Sequence, residues 1–167
     1  MPTENEKKVL TLLSSTDYVG VGDPGKLIES WGNEAVTVAC EVAMGTYPGL
    51  AKKVRTNAVA VLESVTQPQA METISLLVKD PDSDIAIRAA RAAAGQNNTD
   101  AVTAMGTMLQ LPSLAPLVAV ELVKSLIKLN TADAKSILSN YEQADASKLP
   151  HRANNLVKAY LLRAKEK

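Results

Sequence analysis

Four dipeptides in this chain of 167 residues are evenly spaced: Val54-Arg55, Ile87-Arg88, Val120-Glu121 and Ala153-Asn154. Small or aliphatic residues follow each of them within two helical turns. A helix-start signal precedes each of them, near residues 34, 68, 99 and 132. The interval lies within the period of about 20–50 residues that, built from two antiparallel helices, defines an α-solenoid. The physical reason is burial. One helix pair cannot hide both of its apolar faces, so pairs stack, share one core and need atypical ends. We therefore expect an all-α fold of about five helical hairpins. Residues 1–167 would form one repeat domain, with capping helices over 1–32 and four pairs over 33–167.

Composition agrees with this expectation. Hydrophobic residues make up 46% of the chain and aromatics only 3%, with no Phe. The core must then be built from Ala, Val, Leu, Ile and Met, which suits close helix–helix contact better than a sheet. The clearest unit runs from Asp80 to Gly95. Pro81 cannot continue a preceding helix. Asp82 or Ser83 can accept the free N–H groups of the next one, and Asp84 sits well at its positive end. Gly95 is expected to close that helix in the left-handed conformation.

Taken in order, Thr3-Glu4-Asn5-Glu6 has capping-box spacing, and a helix over 4–14 follows from it. Ser15 to Gly25 reads as a loop. Within it, Gly20-Val21-Gly22-Asp23-Pro24-Gly25 formally matches G-x-G-x-x-G, but the strand such a motif needs is missing and Pro24 lacks an N–H for a phosphate. The plainer reading is an Asp23 cap with Pro24 at the first helical position. A short helix to Trp31 should close the end of the core. Helices are then expected over 33–44, 50–65, from Pro68 to about Val78, 82–95, from Asn98 or Thr99 to about Gln110, after Pro112-Ser113, after Thr131, and after Leu149-Pro150. Glu142 to Lys148 is polar and loop-like.

Asp82 followed one and a half helical turns later by Arg88, with Ile87 before it and Ala89-Ala90 and Gly95 after it, resembles the HEAT repeat, nearest to the short variety first recognised in phycobilin lyases. Lys52-Lys53-Val54-Arg55, with Ala58 and Leu62, carries a second, partial match. Glu121 and Asn154 stand where the third and fourth pairs would carry Arg. The resemblance implies a right-handed α-α superhelix, of the kind that armadillo-like proteins also form. Its second helices would line a concave face that commonly binds other proteins. It further implies that Arg88 bonds to Asp82 in an internal ladder. It does not imply lyase activity.

Motifs for chemistry are few. Asp80, Asp82 and Asp84 alternate like a calcium loop, but Ile85 and Arg91 stand where that loop needs Gly and Glu. His151, the sole histidine, should face solvent, and Cys40 should be a buried, inert thiol. One cysteine cannot make an internal disulfide. We expect no catalytic residues, no metal site and no cofactor.

The remaining feature is charge. Arg55, Arg88, Arg91, Lys124, Lys128 and Lys158 fall on one stripe if the even dipeptide register holds. Such a stripe can attract an acidic peptide or surface. The best reading is thus a cytoplasmic, non-enzymatic scaffold that binds a protein partner on its concave face. Two alternatives are a nucleic-acid-binding solenoid similar to HEAT-like DNA glycosylases and a bilin-lyase-like enzyme or chaperone. A formal net charge of +0, from 18 basic and 18 acidic residues, argues against nucleic acid. No apolar run approaches a membrane span.

Overall fold

The computed structural model describes residues 1–15, 22–143 and 150–166. Local sequence signals place most helix starts. The Thr3 hydroxyl accepts from the Glu6 N–H and the Glu6 carboxylate accepts from the Thr3 N–H, so α1 (Glu4–Ser14) opens on a capping box. Asp23 accepts from the N–H groups of Gly25 and Lys26, and Pro24 opens α2 (Pro24–Ser30). Eight further α-helices follow: α3 (Asn33–Met44), α4 (Lys52–Val61), α5 (Pro68–Leu77), α6 (Ser83–Gly95), α7 (Ala101–Leu109), α8 (Pro116–Leu129), α9 (Ala132–Gln143) and α10 (His151–Lys165). The described residues contain no strand. No described helix is long and apolar enough to cross a membrane.

Some expectations shift. The helix expected over 50–65 is shorter: α4 stops at Val61 and tightens into a 3-10 turn at Leu62–Ser64. Gly95 is not the left-handed stop. It is the last residue of α6, Gln96 is the C-cap, and Asn97 takes the positive φ of 52°. The Glu63 side chain lies across Gly95: a methyl group there would stand 2.7 Å from Glu63 Cδ. Neither Asn98 nor Thr99 caps α7 by its side chain. Of the loop expected over 142–148, Glu142 and Gln143 instead end α9, and the remainder lies outside the described residues. Gly20 and Val21 of the G-x-G-x-x-G match also lie outside them, and its described part, Gly22 to Gly25, carries the Asp23 cap and the start of α2.

Each helix from α3 onward touches its hairpin partner and its counterpart in the next hairpin. The first helices run α3 to α5 to α7 to α9, and the second run α4 to α6 to α8 to α10. At the N-terminal end, α1 rests on α3 and α4, while α2 rests on α3 and the 3-10 turn. One connected set of buried side chains fills the space between the rows. In α6 it consists of Ile85 and five alanines, Ala86, Ala89, Ala90, Ala92 and Ala93. Such small side chains allow the close contact of α6 with α4, α5 and α8.

The hairpins are not identical. In the two inner ones the second helix follows closely on the first, with starts at Pro68 and Ser83 and at Ala101 and Pro116. In the two outer ones, with starts at Asn33 and Lys52 and at Ala132 and His151, the interval is longer by about one helical turn. Successive second helices therefore start at Lys52, Ser83, Pro116 and His151, and the interval between them grows along the chain. Burial follows these starts: Ala58 and Val59 match Ala89 and Ala90, then Leu122 and Val123. The even dipeptide spacing is a true structural register only between α6 and α8.

Candidate interaction cleft

The helix starts decide where the basic residues go. Counted from its helix start, Arg55 occupies the position of Ala86, Ala119 and Asn154, all buried. Arg55 accordingly turns inward. Its Nε–H donates to the Ala43 carbonyl at 2.8 Å, at the end of α3, and its Nη2 pairs with Asp80 before α6. Both partners of that ion pair are largely covered, at 24% and 11% side-chain exposure. Arg55 thus ties together two successive hairpins.

Arg88 occupies the position of Asn57 in α4 and Glu121 in α8. It is exposed and has no hydrogen bond or ion pair among the described residues. The ladder expected between Arg88 and Asp82 is absent. Asp82 accepts from the Asp84 N–H as the cap of α6 and pairs with Lys52 at 2.8 Å, and Lys52 also reaches Asp84 at 3.0 Å. The Lys52 ammonium, by hydrogen bond and charge, holds the Asp82 carboxyl below its ordinary range and is itself shifted up.

Arg91 and Lys124 share one position on α6 and α8, and both close on Glu121, at 3.0 and 3.3 Å. Arg91 holds the Glu121 carboxyl below the usual range, and Glu121 shifts Arg91 upward. Lys128 lies two turns beyond Glu121 on α8 and is exposed. Lys158 matches Val59, Ala90 and Val123, which are buried in the earlier second helices. It is exposed on α10, the last described helix. The six residues therefore do not make one stripe: Arg88, Arg91, Lys124 and Lys128 share a face, and Arg55 and Lys158 lie off it.

Beside Arg88 lies an open cleft of about 570 Å³ between the start of α2, α4 with its 3-10 turn, and α6. Its walls carry Asp23, Asn57, Glu63 and Arg88. Ala60, Val61, Ser64 and Gly95 line the space between. The cleft has a readable cause. Ala60 stands where α6 and α8 carry Arg91 and Lys124, and Ser64 and Gly95 stand where α8 carries Lys128. Small residues leave a hollow where the later helices have long side chains.

Its walls are firmly held. The Ser64 hydroxyl donates to Asp23 Oδ1, which also takes the Gly25 and Lys26 N–H groups at 2.9 and 3.2 Å. The Ser64 bond is the main reason that the Asp23 carboxyl lies below its ordinary range. A methyl group on Gly25 would stand 2.5 Å from the Val61 carbonyl, so only glycine lets α2 approach the 3-10 turn this closely. Asn57 donates to the Leu13 carbonyl at 2.8 Å, satisfying the end of α1. Behind the cleft, the buried Gln96 amide donates to the Leu62 and Val65 carbonyls at 2.8 and 3.0 Å. Asn98 donates to the Met71 carbonyl at 2.8 Å.

Elsewhere, Cys40 is buried, which pushes its thiol pKa up, and His151 is exposed. Trp31 is half-buried against the core at the α1 end. Among the described residues, no three His, Cys, Asp or Glu side chains lie close enough together to hold a metal ion. No family model matches the chain, and no curated protein matches it.

Proposed function

We propose that this protein is a non-enzymatic interaction module, a right-handed HEAT-like solenoid that takes an acidic segment of a protein partner along its second helices. The observation that carries the reading is Arg88. It is a guanidinium at the edge of a cleft with no partner among the described residues, whereas Arg55 and Arg91 are both engaged. Arginine presents a planar fork suited to carboxylates. The ladder of helix contacts from α3 to α10 supports the solenoid reading. Glu121 in the middle of the basic face favours a protein partner over a phosphate backbone, because it pairs with both Arg91 and Lys124 there.

The test uses fluorescein-labelled acidic decapeptides and fluorescence anisotropy. Substituting Arg88→Glu together with Lys124→Glu should weaken binding by about tenfold or more, roughly 1.4 kcal/mol, with unchanged helicity by circular dichroism. Added salt should weaken the wild-type complex. Equal binding by the double variant would make the basic face ordinary solvated surface.

A further inference from the structure

Two charges meet at this cleft. Glu63 is exposed, and its carboxylate makes no hydrogen bond or ion pair among the described residues. Its stem lies across Gly95, so it borders the same hollow as Arg88. Arg91 is near enough for its charge to be felt at Glu63, but its Nε–H is directed to Glu121. Asp23, the other acid of the cleft, is occupied by three donors. One cation and one anion therefore stand without a partner here among the described residues. Ala60, which also lines the cleft, offers little side chain to obstruct an approaching main chain.

We infer that the occupant is an extended peptide with an acidic and a basic side chain close together, its carboxylate on Arg88 and its cation on Glu63. This inference rests on the proposed interaction role and narrows it. A purely acidic segment would meet Arg88 favourably but would set its next carboxylate against Glu63, which weakens binding and so selects against such partners. A mixed segment satisfies both groups. The open form of the cleft suits a chain that passes through it.

The experiment compares two labelled decapeptides, one alternating Glu and Lys and one all Glu, by anisotropy at low salt. Wild-type protein should bind the alternating peptide about tenfold more tightly. Arg88→Glu and Glu63→Lys should each weaken that complex several-fold, and the double exchange should recover much of the loss, since the alternating peptide can shift its register by one position. Circular dichroism checks that each variant is folded, and Glu63→Gln serves as the milder form. If Glu63→Lys leaves or improves binding of the alternating peptide, the inference is overturned. In that case, all-Glu binding that still depends on Arg88 would leave the broader reading standing. Binding of neither peptide would overturn both.

Discussion

The joint between the α3–α4 and α5–α6 hairpins commits its arginine to the fold, while the cleft between α4 and α6 leaves its arginine open. Arg55 and Arg88 hold the same place in successive dipeptides and look equivalent in the chain. They differ because α4 and α6 start at Lys52 and Ser83, two residues closer together than Val54-Arg55 and Ile87-Arg88 are. Counted from the helix starts, the two arginines are two positions out of step. On an α-helix that amounts to about 200° of rotation, enough to turn one side chain inward and the other outward. Partner supply reinforces the difference. Arg55 finds Asp80 and the Ala43 carbonyl. One dipeptide interval beyond Asp80 stands Ser113, which carries no charge. A small shift in where each helix starts therefore decides whether the same residue type is engaged within the fold or left exposed.

The largest effect should come from the closed side of this comparison. Arg55→Ala leaves the covered Asp80 carboxylate without its main partner and a helix-end carbonyl without its donor. We expect a loss of about 3 kcal/mol, read as a fall in Tm of roughly 10 °C. If Arg55→Ala melts like wild type, the two arginines are not different in kind. Next comes Gln96→Ala behind the cleft. It strips the Leu62 and Val65 carbonyls of a buried donor and should cost about 2 kcal/mol in denaturant unfolding.

Acid should act more gently. Asp23, Asp82 and Glu121 all have folded pKa values below their ordinary ones. The unfolded chain therefore binds protons first as pH falls. The stability these groups contribute is present above their ordinary range, near pH 4, and is lost as pH drops through their folded values. Ser64→Ala removes the main cause of the Asp23 shift, so its melting temperature should fall less than that of wild type between about pH 4 and pH 2. A steeper acid dependence in Ser64→Ala would contradict this assignment. The smallest effect on stability is expected at the open side: Arg88→Ala should stay within about 0.5 kcal/mol of wild type, as befits a surface residue with no partner among the described residues.

Much of the fold was legible in the residues. The Thr3–Glu6 box, the Asp23–Pro24 start, the Asp82 cap and the apolar stripes place their helices where they are found. A buried Cys40 and an exposed His151 were also readable from their neighbours. Register was not. The dipeptide spacing reports the sum of helices and connections, whereas burial depends on where each helix begins. That is why Arg55 and Lys158 appeared to share a face with Arg88. The cleft was hidden for the same reason, since Ala60, Ser64 and Gly95 mean a hollow only once they are set beside Arg91, Lys124 and Lys128. Long-range polar bonds such as Gln96 to Leu62 and Asn57 to Leu13 have no local signal at all. Gly95 misled differently. A glycine at a helix end suggests a left-handed stop, but here it is the last helical residue, with the Glu63 side chain lying across it.

The contrast between the two arginines is tested most directly by nitrogen-15 NMR of their side-chain Nε–H groups near neutral pH. The Arg55 signal should persist, slowed in its exchange with water by the Ala43 carbonyl and Asp80. The Arg88 signal should be broadened by exchange and should sharpen on addition of a carboxylate-bearing peptide. An Arg88 signal as protected as that of Arg55 in the free protein, and unmoved by peptide, would contradict the account.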